Sequence, residues 1–400
     1  MVKLNINQTT QNVKSCFNIF ALIMFENTEI SFQSKSEKEL KKSKKLFQLL
    51  RKSSLVKIGK VLLQTSIFLK IPINSIMKKI FFKQFCGGET IEECENLIHE
   101  LSLYNIKSTL DYCVEGKQNS ETRKKTFNQI IETLEESKEN SNIPFCVFKM
   151  SGVLTLMNDS YVTDFWCQKN TEKIKILFKK AQKNNIPILI DAEESWIQNG
   201  IDKITEILMK EFNKNQVIVF NTVQLYRKDR LHYIKKLHLQ AKKENFKIGL
   251  KLVRGAYMEK ERKYAKNNKS ISPIHETKEA CDRDFNNALK YCIQNIDDIS
   301  IFIGTHNEES CQNLTEIMRE HGIKENDKRI YFSQLLGMSD HISYNLAKNG
   351  YNVSKYIPFG PIKEMIPYLI RRAEENSSVK GQSSRELTLI KKELERRKKN

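Results

Sequence analysis

Four hundred residues are enough for one large domain with extensions, or for two domains. Lysine and arginine total 67 against 48 acidic residues, a formal net charge of +19, but the lysines are spread along the whole chain among Asn, Ile and Glu. No basic–aromatic module accompanies them, so a nucleic-acid partner is not expected. Nine scattered cysteines without a CxxC pair, and seven histidines without HExxH or a Cys/His cluster at zinc spacing, point to buried thiols in a reducing compartment and to no metal site.

Residues 1–35 show no sustained period and read as an irregular extension. Phe17–Phe25 is apolar like the core of a signal sequence, but it lacks a small-residue cleavage site and runs into Glu26, so Met24 stands as an alternative start. No apolar run reaches the length of a membrane span. Residues 36–104 read as a helical region in which Leu40, Leu46, Leu49 and Leu50 share a face among lysines. Inside it, Arg51–Phe85 holds eight cations (Arg51, Lys52, Lys57, Lys60, Lys70, Lys78, Lys79 and Lys83) and no acid. That composition suits a membrane-surface helix, and equally a helix packed on a domain with its lysines reaching water. Packing is the commoner use of such a face. Thr90 is placed to cap the helix beginning IEECENLIHEL.

From 105 to 378 the character is a regular alternation. Short β-rich runs at 108–114, 144–150, 186–192, 215–221, 246–253, 300–306, 329–335 and 354–360 are each followed by a polar segment of helical period. Eight such units in about 270 residues predict a TIM-like (β/α)8 barrel behind the helical N-terminal region. A doubly wound open sheet is the competing architecture, and no GxGxxG follows the first run to favour its dinucleotide-binding form. The last run ends at Gly360-Pro361, and Pro367 predicts a short turn and then a second helix starting near it. Residues 379–400 read as a charged tail.

A barrel gathers its chemistry where its strands end. Those ends offer Asp111 and Glu115; Lys149; Asp191, Glu193 and Glu194; Gln224 and Tyr226; Lys251, Arg254 and Tyr257; Thr305 and His306; and Tyr356 ahead of the Arg371-Arg372 pair. Two adjacent guanidiniums on one helix make a fork for a small carboxylate, and Glu375 is spaced to tether one of them. Each residue has an ordinary explanation: a solvated Arg pair, Lys149 reaching water, Asp191 as a helix cap, His306 as a satisfied core histidine. Their coincidence on one rim, with cations outnumbering acids, points to an anionic ligand. Two other functions fit the same residues: a Schiff-base lyase using Lys149, or a non-catalytic basic protein binding an anionic ligand.

The strings KLVRGAYMEKER (251–262), GTHN (304–307), QLLGMSD (334–340), YIPFGP (356–361) and YLIRRAEENSS (368–378) carry a resemblance. Over about Asp111–Ser378 the chain resembles the proline dehydrogenase (proline oxidase) family, FAD-dependent enzymes on a distorted (β/α)8 barrel. The resemblance implies oxidation of L-proline to 1-pyrroline-5-carboxylate by hydride transfer to flavin N5, with electrons passed to a quinone, as the first step of proline catabolism to glutamate. It implies that Lys149, Arg371 and Arg372 hold the substrate carboxylate and that Tyr257, Leu335 and Tyr356 wall the ring. Asp191 would pair with the basic group of the fifth strand and order the site. Ala192, Gln224, Lys251, Arg254, Gly255, Ala256, Thr305, His306 and Glu375 would contact FAD. Many members carry arginine at the position of Lys251, where it approaches N5; lysine keeps the charge without the planar fork, so either Lys251 or Arg254 serves N5 here. Quinone as acceptor implies a membrane face, for which Arg51–Phe85 and the lysines of 391–399 are the candidate contacts. The expected location is the cytoplasm, with peripheral contact at the cytoplasmic face of the inner membrane left open.

Overall fold

The computed structural model describes residues 24–51, 82–113, 119–378 and 382–399, apart from the side chains of 375–378, 382 and 383. Eight parallel strands close into a barrel in chain order: β1 (Ile106–Tyr112), β2 (Phe145–Lys149), β3 (Ile188–Asp191), β4 (Val219–Gln224), β5 (Ile248–Val253), β6 (Ile299–Gly304), β7 (Ile330–Leu335) and β8 (Val353–Phe359). Closure is made by β1 against β8, in register from Ile106–Val353 to Tyr112–Phe359. The helices in chain order are α1 (Thr28–Ser31), α2 (Glu37–Leu50), α3 (Ile91–Ser102), α4 (Ser120–Glu139), α5 (Asp164–Asn184), α6 (Ser195–Phe212) and α7 (Arg230–Glu244). They continue with α8 (Met258–Asn267), α9 (Lys278–Gln294), α10 (Glu308–Glu320), α11 (Asp340–Lys348), α12 (Ile362–Ser378) and α13 (Gln382–Lys399). The (β/α)8 architecture is the one expected.

Alternation along the strands sorts the side chains. Odd-numbered positions of β2, such as Phe145 and Val147, face the axis with Leu189, Phe220, Phe302 and Tyr356. Phe145 meets Phe220, Phe302 and Tyr331 edge-on at centroid distances of 5.8, 5.0 and 4.8 Å, so the lower barrel is a packed aromatic plug and not a pore. The opposite strand faces bury Ile and Leu against the helices. Asn and Thr fix several helix starts: Asn119, Thr163, Thr277 and Asn307 each accept a backbone N–H of the first turn, and Thr90 caps α3 as expected.

Four boundaries differ from expectation. The fourth strand is Val219–Gln224, not 215–221: Asn213 Oδ1 accepts from both Ile218 and Val219 N, at 2.9 and 2.8 Å, and this side-chain clamp delays the strand. Pro367 does not split α12. The helix starts from Pro361, whose carbonyl accepts from Glu364 and Met365 N, and buried Met365, Tyr368 and Leu369 anchor it past the one missing N–H. The segment read as a charged tail contains α13, which packs on α2 and buries Leu387, Leu389, Ile390 and Leu394. Residues 24–35, read as irregular, include α1, which lies against α11. The basic Arg51–Phe85 segment falls mostly outside the described residues; of its end, Phe82 and Phe85 are buried with α2 and α13. Gly337 receives it closely, since a Cβ there would lie 1.9 Å from Gln84 O, and Gly337 adopts φ +73.

Candidate active site

The polar layer lies directly above the aromatic plug, at the C-terminal ends of the strands. Lys251 Nζ of β5 pairs with Asp191 Oδ1 of β3 at 2.5 Å, and Tyr356 Oη of β8 donates to Asp191 Oδ2 at 2.9 Å. Lys251 Nζ also stands 4.3 Å from the centre of the Tyr356 ring. Three strands thus converge on one carboxylate, with Thr222 Oγ1 a further 3.5 Å from Asp191 Oδ1. Asp191 is not a helix cap, the ordinary reading of that residue: Glu194 occupies the cap position of α6. Burial, followed by the charges of Asp111 and Asp191, holds the Tyr356 phenol well above its usual range, so it stays a hydrogen-bond donor.

Tyr257 is buried and its phenol is pushed up to about 12, first by burial; the charges of Lys149 of β2 and Arg371 of α12 oppose the shift. Glu193 accepts from Ser151 N at 2.8 Å and also from Ser151 Oγ, clamping the turn that follows Lys149; burial raises its carboxyl. Arg372 is buried, with its guanidinium 5.1 Å from the Tyr368 ring centre. Leu335 packs against both the aromatic plug and the cluster containing Tyr368 and Leu369.

A second arc runs over β4, β5 and β6. Gln224 Nε2 donates to Glu193 O at 2.8 Å, and Gln224 Oε1 accepts from Ala256 N at 3.3 Å. Ala192 is buried, whereas Gly255 and Ala256 lie exposed on the rim. Gly255 has φ +137, and a Cβ there would sit 2.5 Å from the Tyr226 ring, so only glycine carries this turn. Arg254 faces away from Asp191: Nε, Nη1 and Nη2 reach Asp282 Oδ1, Thr305 Oγ1 and Ser310 Oγ at 2.7, 2.7 and 2.9 Å. His306 Nδ1 is 2.9 Å from Ser339 Oγ, and its pKa is pushed down to about 3, first by burial and then by Lys355 and Arg372, so the ring is neutral. The Glu375 side chain lies outside the described residues. Asp282, Ser339 and Ser151 were not singled out in the sequence; Asp282 stands 28 residues from Arg254, on α9, and carries no local signal.

The proline dehydrogenase family model matches residues 94–385. The chain belongs to the proline dehydrogenase family. It is 33% identical over 333 residues to the carbapenem antibiotics biosynthesis protein CarD of Pectobacterium carotovorum subsp. carotovorum, covering 81% of this chain and 85% of that one. It is 32% identical over 380 residues to the mitochondrial proline dehydrogenase 1 of Dictyostelium discoideum, covering 82% and 66%. The crystal structure of proline utilization A from Bdellovibrio bacteriovorus superposes with a TM-score of 0.74 over 94% of this chain at 18% identity, which is a likeness of fold. This chain spans 42% of that structure's chain, under half its length. Family membership makes the chain an oxidoreductase of the proline dehydrogenase type. No described helix is long and apolar enough to cross a membrane.

Proposed function

We propose that the chain oxidises L-proline to 1-pyrroline-5-carboxylate with FAD as cofactor and a quinone as onward electron acceptor. The observation that carries this reading is the Asp191–Lys251–Tyr356 trio above the aromatic plug, with the charges of Lys149 and Arg371 both felt by the buried Tyr257 phenol. The donor set fits FAD. The exposed Gly255–Ala256 backbone at a turn where only glycine is accommodated, the buried amide of Gln224, the neutral His306 ring and the rim cations suit a flat, phosphate-bearing ligand.

When bound, FAD supplies the acceptor for the hydride leaving the ring carbon next to nitrogen. The chain's own residues do the rest. Arg371, Arg372 and Lys149 anchor the substrate carboxylate through charge-assisted hydrogen bonds. Tyr257, Leu335 and Tyr356 exclude water from the ring and limit its size. Asp191 holds Lys251 Nζ and Tyr356 Oη in one orientation, so the positive charge stands at a fixed point over the barrel axis. Of the two cations considered for the flavin N5 position, we assign Lys251, because Arg254 spends its donors on Asp282, Thr305 and Ser310. The substrate nitrogen must give up its extra proton before hydride leaves, so kcat/KM rises with pH.

The Schiff-base reading of Lys149 is set aside because the family is one of oxidoreductases; the charge of Lys149 is felt by the buried Glu193 carboxylate, which suits an electrostatic anchor. Incubating the purified protein with L-proline and an artificial electron acceptor, then measuring the mass of the product, tests the proposal. Loss of two hydrogens from L-proline supports it; no oxidation of L-proline by the flavin-loaded protein overturns it.

A further inference from the structure

Two stretches beyond the body of the barrel converge on its rim beside His306. From the N-terminal side, Lys35 pairs with Asp340, Ser34 Oγ lies 2.7 Å from Tyr344 Oη, and Asn345 Nδ2 donates to Ser31 Oγ at 3.0 Å, so residues 31–35 are fastened along α11. From the C-terminal side comes α13, whose neighbouring residues Arg385 and Glu386 grip the rim at two points. Arg385 binds both oxygens of Glu308, at 2.8 and 3.0 Å, two residues after His306, and reaches Glu26 Oε1 at 2.6 Å. Glu386, fully enclosed, accepts from the backbone N–H of Ser339. The family match ends at residue 385, so Glu386 lies outside it.

Ser339 is the point where these contacts act. It is a buried non-glycine residue in the left-handed region, φ 52 and ψ 43, directly before α11. Such a conformation persists in a residue with a Cβ only where its surroundings over-determine it. Here they do so from two sides. Lys355 Nζ, itself 1% exposed, donates to Met338 O at 2.7 Å and pairs with Asp340 Oδ1 at 2.8 Å. Glu386 takes the N–H of Ser339 on the other side. The result is that Ser339 Oγ is presented to His306 Nδ1.

We infer that Glu386 is a positioning residue for the flavin site: by holding Ser339 in its left-handed conformation it keeps Ser339 Oγ on His306 Nδ1 and so fixes the tautomer and direction of the His306 ring. The inference rests on the reading above, in which His306 faces FAD. Glu386 does not touch the cofactor; it acts through Ser339, as a partner behind a ligand-binding histidine does in other sites. That route makes a specific demand. Once the Ser339 hydroxyl is gone, loss of the Glu386 acceptor should matter little more.

The test is a double-mutant cycle on FAD binding, read by equilibrium dialysis of the full-length chain stripped of flavin. Glu386→Leu and Ser339→Ala are each expected to raise the FAD Kd about tenfold, and the double variant also about tenfold, not a hundredfold. A wild-type Kd for Glu386→Leu, or losses that multiply in the double variant, overturns the inference. If Glu386→Leu does not fold, Glu386→Asp keeps the charge but draws the carboxylate back by about 1.5 Å. It should weaken FAD severalfold, and a wild-type Kd for it overturns the inference equally. If the wild-type chain takes up no FAD, the flavin reading falls, and this one with it. If wild type binds FAD and the variants bind it unchanged, only the role of Glu386 is refuted.

Discussion

At the scale of single residues, Asp191 is the organising group. Its two oxygens are taken by Lys251 and Tyr356, and the ion pair is largely removed from water, with side-chain exposures of 14% and 7%. Removing one partner of such a pair costs more than the pair contributes, because the other charge is left buried; about 3–5 kcal/mol is typical for full burial, and the partial exposure here lowers it. Asp191→Ala should therefore lose stability, flavin content and turnover together, while Asp191→Asn, which still accepts from Tyr356, should keep more flavin. The measurement is the ratio of flavin absorbance to protein, alongside urea unfolding. Full flavin and turnover in Asp191→Ala would reduce the trio to packing. Most members of this layer were legible as polar residues at strand ends. What the sequence did not separate was the work of Lys251 from that of Arg254: they are three residues apart and equally charged, and only the barrel's inward and outward alternation directs one to Asp191 and the other to Asp282.

At the scale of elements, α12 delivers the Arg371–Arg372 pair. The helix continues through Pro367 because Met365, Tyr368 and Leu369 are buried on both sides of it, a tertiary effect that outweighs the local breaker and that a reading of Pro alone misses. Continuity matters to function, since it couples the arginines rigidly to the packed face. Arg371→Lys or Arg372→Lys keeps charge and loses the planar fork. A charge-assisted contact of about 1.5–3 kcal/mol would be forfeited, which is roughly a 10- to 150-fold rise in KM for proline with flavin retained. Steady-state kinetics and a competitive carboxylate analogue check this; unchanged KM and inhibition in both variants would take the pair out of the substrate site. The helix α13 was illegible for a different reason. Its apolar positions are separated by runs of charge, and only the presence of α2 as a partner shows which face is inside.

At the scale of the whole molecule, acid stability carries a signature of the site. The His306 imidazole is held near 3 in the folded chain, by burial first and then by Lys355 and Arg372, against an ordinary value of 6.5. Between those values the unfolded chain binds a proton that the folded chain refuses, so this contribution is complete above pH 6.5 and is lost as pH falls toward 3. From pH 7 to 5 the expected loss is on the order of 2 kcal/mol. His306→Gln should shrink the drop in urea-unfolding free energy across that interval relative to wild type; an equal drop in both proteins would place the imidazole in an ordinary environment.

The barrel itself was the most legible feature, because eight buried parallel strands must be short apolar runs separated by helical segments, and nothing else in the chain has that rhythm. The central claim is chemical, and one measurement reaches it most directly: the visible absorption spectrum of the anaerobic, purified full-length protein before and after addition of L-proline. The account predicts an oxidised-flavin spectrum at the start, bleached by L-proline, with slower bleaching in Asp191→Ala at equal flavin loading. A protein that binds flavin but keeps its spectrum unchanged with excess L-proline would contradict it.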